Sequence, residues 1–312
     1  MKKTLIIAGF AALMGTAALA DIGVSMAKFD DNFLTVLRNG IQAYADKNGQ
    51  KVQIEDAKDD VAKQLDQIKN FIAGGVSAII VNPVDTSATQ AMSDAAAAAK
   101  IPLVYVNRQP INVDTLPDNQ AFVASNEADS GTLETKEICK ELAAAGKKEA
   151  NVYVMEGQLS NQAAVQRTKD IHEVMAGPDC GVKLTIIDEQ TANWSRDEAQ
   201  TLMTNWLSTG KPFDAVIANN DEMAIGAIQA MKAAKIDMKT VIVGGVDATQ
   251  DALAAMAAGD QDVTVFQDAA GQGAGAIDAA VKLAAGTKVD KKVYIPFQLV
   301  TPANMKDYMK KN

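Results

Sequence analysis

The chain has 312 residues, 48% of them hydrophobic, and a formal net charge of −9. That length allows two domains of roughly 100–150 residues each, and the acidic balance disfavours nucleic acid and anionic membrane surfaces as partners. One histidine and two cysteines leave too few ligands for an ordinary catalytic zinc site.

Residues 1–20 read as an export signal, with Lys2 and Lys3 ahead of an apolar stretch and Ala18-Leu19-Ala20 as a small-residue cleavage site. The stretch is too short to span a bilayer comfortably, which takes about 20 residues; a frayed N-terminal helix is the alternative. No cysteine lies near the cut, so a lipid-anchored product is not expected. Cleavage after Ala20 would leave 292 residues starting at Asp21 and, without Lys2 and Lys3, a charge of −11. No later segment reads as transmembrane, because Lys, Asp or Gly interrupts each Ala-rich run.

From Asp21 onward short apolar runs alternate with helical patterns. The first series places strands at 22–27, 51–55, 77–82, 103–107 and 121–124. Between them Phe33, Val36, Leu37, Ile41 and Tyr44 recur at helical spacing, as do Val61, Leu65, Ile68 and Ile72. Helix stops stand at Asn48-Gly49 and Gly74-Gly75. The second series places strands at 151–155, 183–187, 215–218, 241–244 and 263–267. Most runs are near-continuous Val, Ile and Ala, as for strands covered on both faces. The alternation predicts an α/β fold of two doubly wound parallel-sheet lobes with right-handed crossovers. A helix at 269–285 and a strand at 293–297 follow, and they suggest a return to the first lobe. The expected division is 21–124 plus 268–296 for the N-terminal lobe and 125–267 plus 297–312 for the C-terminal lobe. Several crossings between two lobes imply a cleft that closes about a hinge.

Polar residues fall just past the predicted strand ends, where open parallel sheets bind ligands. The chain has four arginines against 26 lysines. Arg108 follows the fourth strand directly, after Asn107, and Arg167 opens the helical stretch after the sixth. Asn220, Asp221, Asp247 and Gln267 follow later strands in the same way. Phe29 and Phe33 flank Asp30-Asp31-Asn32 after the first strand, and Phe33 fits either pocket wall or helix core. Trp194 stands in a polar loop, where it either caps a core edge or offers a flat face to the C–H side of a ring. Trp206, beside Leu202, Met203 and Leu207, fits the core. Carboxylates, amides and guanidinium together match hydroxyl groups, each of which donates once and accepts twice. With no nucleophile–base pair in view, a hydroxyl-rich molecule held rather than transformed is expected.

Other features carry less. Gly271-Gln272-Gly273-Ala274-Gly275-Ala276 matches a dinucleotide fingerprint but sits near the chain's end, where close helix packing explains it better. His172 has no second ligand at metal spacing, and no P-loop or nucleophile elbow is present. Asp56, Asp59 and Asp60 lack the glycine and glutamate of a calcium loop and fit a solvated helix start. Neither a cofactor nor a metal is expected. Cys139 and Cys180, on helical segments flanking strand 151–155, are expected to pair in an oxidising compartment; two separately buried thiols are the alternative.

At these residues the chain resembles periplasmic sugar-binding proteins of the ribose-binding type, receptor components of ABC importers. The resemblance spans essentially the whole mature chain and is most specific at Asn220-Asp221-Glu222-Met223-Ala224-Ile225-Gly226-Ala227. Val81-Asn82-Pro83-Val84-Asp85 and Val243-Gly244-Gly245-Val246-Asp247 support it. It implies a three-strand hinge, a ligand buried between the lobes and a pocket of Asp31, Phe33, Asn107, Arg108, Arg167, Trp194, Asn220, Asp247 and Gln267, to which Phe29 is added. It further implies a monomer in the periplasm that serves ABC transporter membrane subunits, and leaves open whether a chemoreceptor reads the closed form. Ribose binders carry Asp-Arg where this chain has Asn107-Arg108, a second Phe where it has Leu34, and Phe where it has Trp194. Those departures are more similar to inositol and rhizopine binders. A lac-repressor-type regulator would need a helix-turn-helix where the export signal stands. An enzyme would need an acid/base pair, for which Asp31 with Asp247 is the one plausible couple.

Overall fold

A computed structural model describes residues 21–312. The expected export signal lies outside the described residues. The first lobe opens with β1 (Ile22–Met26), α1 (Asn32–Lys47), β2 (Val52–Asp56), α2 (Val61–Gly74), β3 (Ala78–Val81), α3 (Thr89–Ala98), β4 (Leu103–Val106) and β5 (Gln120–Ala124). The second contains α4 (Glu127–Ala144), β6 (Glu149–Glu156), α5 (Gln162–Ala176), β7 (Lys183–Thr191), α6 (Arg196–Ser208), β8 (Ala215–Ala218), α7 (Asp221–Ala233), β9 (Ile242–Gly244), α8 (Gln250–Ala258) and β10 (Thr264–Phe266). The chain then returns through α9 (Ala269–Ala284) and β11 (Lys292–Tyr294) before ending near β12 (Gln298–Val300).

Sheet order in the first lobe is β11-β5-β4-β3-β1-β2, all parallel. The order reverses beside β1, which opens a crevice at the carboxyl ends of β1 and β3. The second lobe repeats the plan as β7-β6-β8-β9, with its crevice beside β6. Isolated parallel bridges Gly244–Val263 and Asp247–Phe266 carry β10 onto the β9 edge, and β12 pairs antiparallel with β10. The chain passes between lobes three times: after β5, after β10 and between β11 and β12.

The continuous apolar runs explain the layering. Every residue of β1, β3, β4, β5 and β8 is buried. In the first lobe, α1 and α9 cover one face through Leu37, Ile41, Ile277 and Leu283. Ile68, Phe71 and Met92 of α2 and α3 cover the other. The α1–α9 contact accounts for the glycine-rich stretch. A Cβ on Gly273 would stand 2.8 Å from Ile41 N, and one on Gly40 3.0 Å from Ala270 Cα. Close helix packing is therefore its role, and the glycines lie inside α9 rather than in a strand-to-helix turn.

Two expectations need correction. The predicted strand 293–297 stops at Tyr294 as the end of β11, because Pro296 has no N–H to continue a ladder and the chain turns there into the second lobe, where β12 begins at Gln298 in a different sheet. Cys180 lies in the turn between α5 and β7 rather than on a helix. Its sulfur is bonded to that of Cys139 on α4, with the Cα atoms 5.0 Å apart. No helix among the described residues is long and apolar enough to cross a membrane.

Candidate functional site: the cleft between the lobes

Two helix N-termini face each other across the cleft, and their caps belong to the site. Asp31 is extended (φ −156°) after β1, and its Oδ1 accepts from Leu34 N at 2.8 Å to start α1. Asn220 does the same for α7, accepting from Met223 N at 3.0 Å. Such caps satisfy helix N–H groups that have no partner within the helix. Asp31 Oδ2 takes no partner among the described residues and is available to a ligand. Burial raises the Asp31 pKa above the ordinary carboxylate value, against the helix N–H and Arg108.

Beside Asp31, Asn107 sits at φ 66°, a turn that ends β4 and brings Arg108 under the cavity. Asn107 Oδ1 accepts from Asn82 Nδ2 at 3.3 Å, and Arg108 Nη1 donates to Pro83 O at 2.9 Å. Burial lowers the Arg108 pKa, while Asp31 and Asp59 support its charge.

From the second lobe comes Arg167, on the second turn of α5. Its Nε and Nη2 donate to Glu127 Oε2 and Oε1 at 2.7 and 3.1 Å, and Nη1 donates to Asn219 O at 2.6 Å. Burial opposes the charge, yet Glu127 with Asp247 and Glu134 outweighs it and holds the guanidinium pKa above its usual value. Asp247 is 3% exposed, and burial lifts its carboxyl well above the usual range, with Arg167 pulling the other way. Gln267 is buried, and its Nε2 is an unpartnered donor. Asn312 Nδ2 donates to both Asp247 O and Gln267 O at 2.7 Å, and so fixes the two loops that carry these side chains.

Trp194 closes the ring. Asn193 and Trp194 both have positive φ (51° and 64°), which turns the indole back over Gly157. A Cβ on Gly157 would stand 2.1 Å from Trp194 Cη2, so the glycine makes room for the ring. The indole Nε1 donates to Asn161 Oδ1 at 3.1 Å, and Arg167 Cζ lies 5.6 Å from the ring centroid.

The cavity thus brings together Asp31, Phe33, Asn107, Arg108, Arg167, Trp194, Asn220, Asp247 and Gln267, with Leu34, Glu127, Asn161 and Ala163 among the lining residues. Phe33 proves to be both pocket wall and part of the α1 core. Phe29 is a correction: it lines the outer mouth, a cleft of about 690 Å³ that meets the inner chamber at Asp31 and Trp194, and its ring packs under Arg38. The stretch from Lys28 to Asp31 is long enough to carry Phe29 outward before α1 begins. Asp221 does not line the cavity. Its carboxylate accepts from Thr249 N, Gln261 Nε2 and Thr264 Oγ1, binding α7 to the Asp247 loop. Glu127 and Asn161 were missed, although both follow a strand end closely, as the chosen residues do.

Elsewhere, His172 is half exposed and pairs with Glu189 at 2.8 Å. Asp60 caps α2. Among the described residues no group of His, Cys, Asp and Glu has the arrangement to hold a metal.

Two α/β lobes closing on a polar, aromatic-lined chamber define a solute-binding receptor. A periplasmic binding protein domain matches residues 22–288, and the chain belongs to that family. It is 62% identical to the "Putative rhizopine-binding protein" of Rhizobium meliloti, with all of both chains covered. It is 32% identical to a ribose import binding protein of Bacillus subtilis, over 90% of this chain and 87% of that one. An ABC transporter solute binding protein of Bacillus halodurans with bound myo-inositol superposes with a TM-score of 0.87 at 39% identity, covering 96% of this chain and all of the other. The Caulobacter myo-inositol binding protein superposes at 0.82 and 27% identity, over 95% and 97% of the two chains. Members of this family serve as periplasmic receptors.

Proposed function

We propose that this chain is an exported receptor, cleaved after Ala20, that closes around one neutral cyclitol and delivers it to the membrane subunits of an ABC importer. Myo-inositol or a related rhizopine is the favoured ligand. The observation that carries this reading is the ring of Asp31, Asn107, Arg108, Arg167, Asn220, Asp247 and Gln267 drawn from both lobes around the Trp194 face. Carboxylate acceptors, guanidinium donors and amides that do both stand together there, as a polyhydroxylated ring requires, and the aromatic suits its C–H face. The relative named for rhizopine and the neighbours holding myo-inositol support it. We place the lobe boundaries at 124/125, 267/268 and 296/297, where the chain leaves one sheet for the other. The reading is of a receptor, not an enzyme: the acids of the cavity serve as a helix cap at Asp31 and as the partner of Arg167 at Glu127 rather than in a nucleophile–base pair, and labelled ligand should be recovered unchanged.

A thermal-shift screen over inositols, pentoses and hexoses tests the ligand. At a hundredfold excess over Kd a ligand adds about 2.7 kcal/mol, a rise of several degrees. Myo-inositol should raise the Tm more than ribose does. A clear win for ribose or another pentose would overturn the cyclitol reading and favour a monosaccharide receptor.

A further inference from the structure

Asn161 stands at the N-cap of α5 with the extended backbone of a cap (φ −107°), yet its side chain makes no capping bond. Asn is among the best N-cap residues because its carbonyl accepts a helix N–H. Here the amide is used otherwise. Oδ1 accepts from Trp194 Nε1, and Nδ2 donates at 3.0 Å to Val84 O, which belongs to the other lobe. The first amide of that helix is met from across the cleft. Gln162 N, the first helical amide, donates to Thr86 Oγ1 at 3.2 Å, and Thr86 N donates to Ser160 O at 3.1 Å.

We infer that Thr86 and Asn161 are positioning residues for ligand capture: closure gives the α5 N-terminus an acceptor in trans at Gln162 N, while Asn161 forgoes its own capping bond to hold the Trp194 indole in place against the ligand. With the lobes apart, Val84 O and Thr86 Oγ1 are gone from this site, and the Asn161 carbonyl is the local group left to cap α5. One amide therefore has two uses, and the lobe position selects between them. Asn161 lines the chamber, whereas Thr86 does not. That separates the two contributions.

The inference rests on the cyclitol reading for its probe, myo-inositol. Thr86→Val keeps the shape of the side chain and removes the hydroxyl that bridges Gln162 N and Ser160 O. Loss of its hydrogen bonds should weaken myo-inositol binding about tenfold, carried by a faster koff with kon little changed. Asn161→Ser keeps a good cap on α5 but reaches neither Trp194 nor Val84. It should leave the Tm of the ligand-free protein near that of the parent, weaken binding by about tenfold or more, and reduce the Trp194 fluorescence change on binding. A purely local capping role predicts instead that Asn161→Ser is harmless to affinity; loss of Tm in ligand-free Asn161→Ala is expected on either account. Parental affinity and koff in Thr86→Val, or parental affinity in Asn161→Ser, would overturn the inference. A parent chain that binds no inositol fails the cyclitol reading alone, and the sugar selected by the thermal screen then becomes the probe for the same variants.

Discussion

Arg167 grips both carboxylate oxygens of Glu127, through Nε at 2.7 Å and Nη2 at 3.1 Å, with each side chain 4% exposed. The pair is bidentate, which fixes the guanidinium plane at the wall of the cavity. It also means that removing one partner strands the other. Arg167→Ala should lower myo-inositol affinity at least tenfold, since a charge-assisted bond is worth about 1.5–3 kcal/mol. It should lower the ligand-free Tm as well, because breaking a buried pair costs about 3–5 kcal/mol. Arg167→Met with Glu127→Gln should recover much of the Tm and none of the affinity. Calorimetric titration and melting on both variants separate these effects; unchanged affinity in Arg167→Ala would remove Arg167 from the site.

Trp194 and Trp206 should behave differently on binding. Trp206 is stacked on Tyr153 (4.4 Å, 7°) in the second-lobe core, with Nε1 donating to Asp188. Its emission should stay fixed, while Trp194, which links the inner chamber to the outer mouth, should shift as the cleft dries. Trp194→Ala should weaken binding by about 0.5–1.5 kcal/mol beyond lost area. Lost stability with intact affinity would make Trp194 a loop cap and nothing more.

Much of this layout was legible in the sequence because parallel strands are buried on both faces and their carboxyl ends collect polar residues. β3 (Ala78–Val81) lies within the expected run 77–82 and β8 matches the expected run 215–218, and Asn107, Asn220 and Asp247 follow their strands closely. The β11–β12 division was not legible. Each strand has three residues, too few to show a period, and their sheet membership depends on contacts far away in the chain. Asn161 follows β6 as the chosen residues follow their strands, but its pairing with Val84, 77 positions away, leaves no mark in the sequence near it. Glu127 resembles an ordinary acidic first-turn residue of α4, and nothing near it in the chain announces Arg167. Phe29 was placed inward because proximity to β1 says where a loop starts and not which way it turns.

The disulfide closes a separation of 41 residues between α4 and the turn before β7. A loop of that length should contribute on the order of 2–4 kcal/mol by restricting the unfolded chain. Reduction should therefore lower the Tm without abolishing ligand binding, since neither cysteine lines the cleft. Mass measurement of alkylated, unreduced protein should find no free thiol; two alkylated cysteines would show that the pair does not form in the exported protein.

Glu134 should make the protein less stable as the pH rises. It lies on α4, fully buried, and neither carboxylate oxygen has a hydrogen-bond partner of good geometry. A Cβ on Gly244 would stand 2.7 Å from Oε1, so no water fits between them. Burial raises the carboxyl well above 4.5; Arg167 and the nearby Ala218 backbone oppose this and Asp221 adds to it. Asp221 itself is pushed up to about 7 by burial, against its three donors, and Asp262 to about 6. For an acid whose folded pKa exceeds its unfolded value, the native state holds a proton that the unfolded chain releases. Its stabilising contribution is complete below the unfolded pKa and is lost as pH rises through the folded one. The window opens near pH 4.5 for Glu134 and reaches about 7 for Asp221. Glu134→Gln removes one of these protons from the balance. Melting curves of the ligand-free protein between about pH 5 and 8 should show a shallower fall in Tm for the variant, whatever its absolute Tm. Parallel curves for parent and variant would mean that Glu134 is ionised throughout and that the fold compensates its charge.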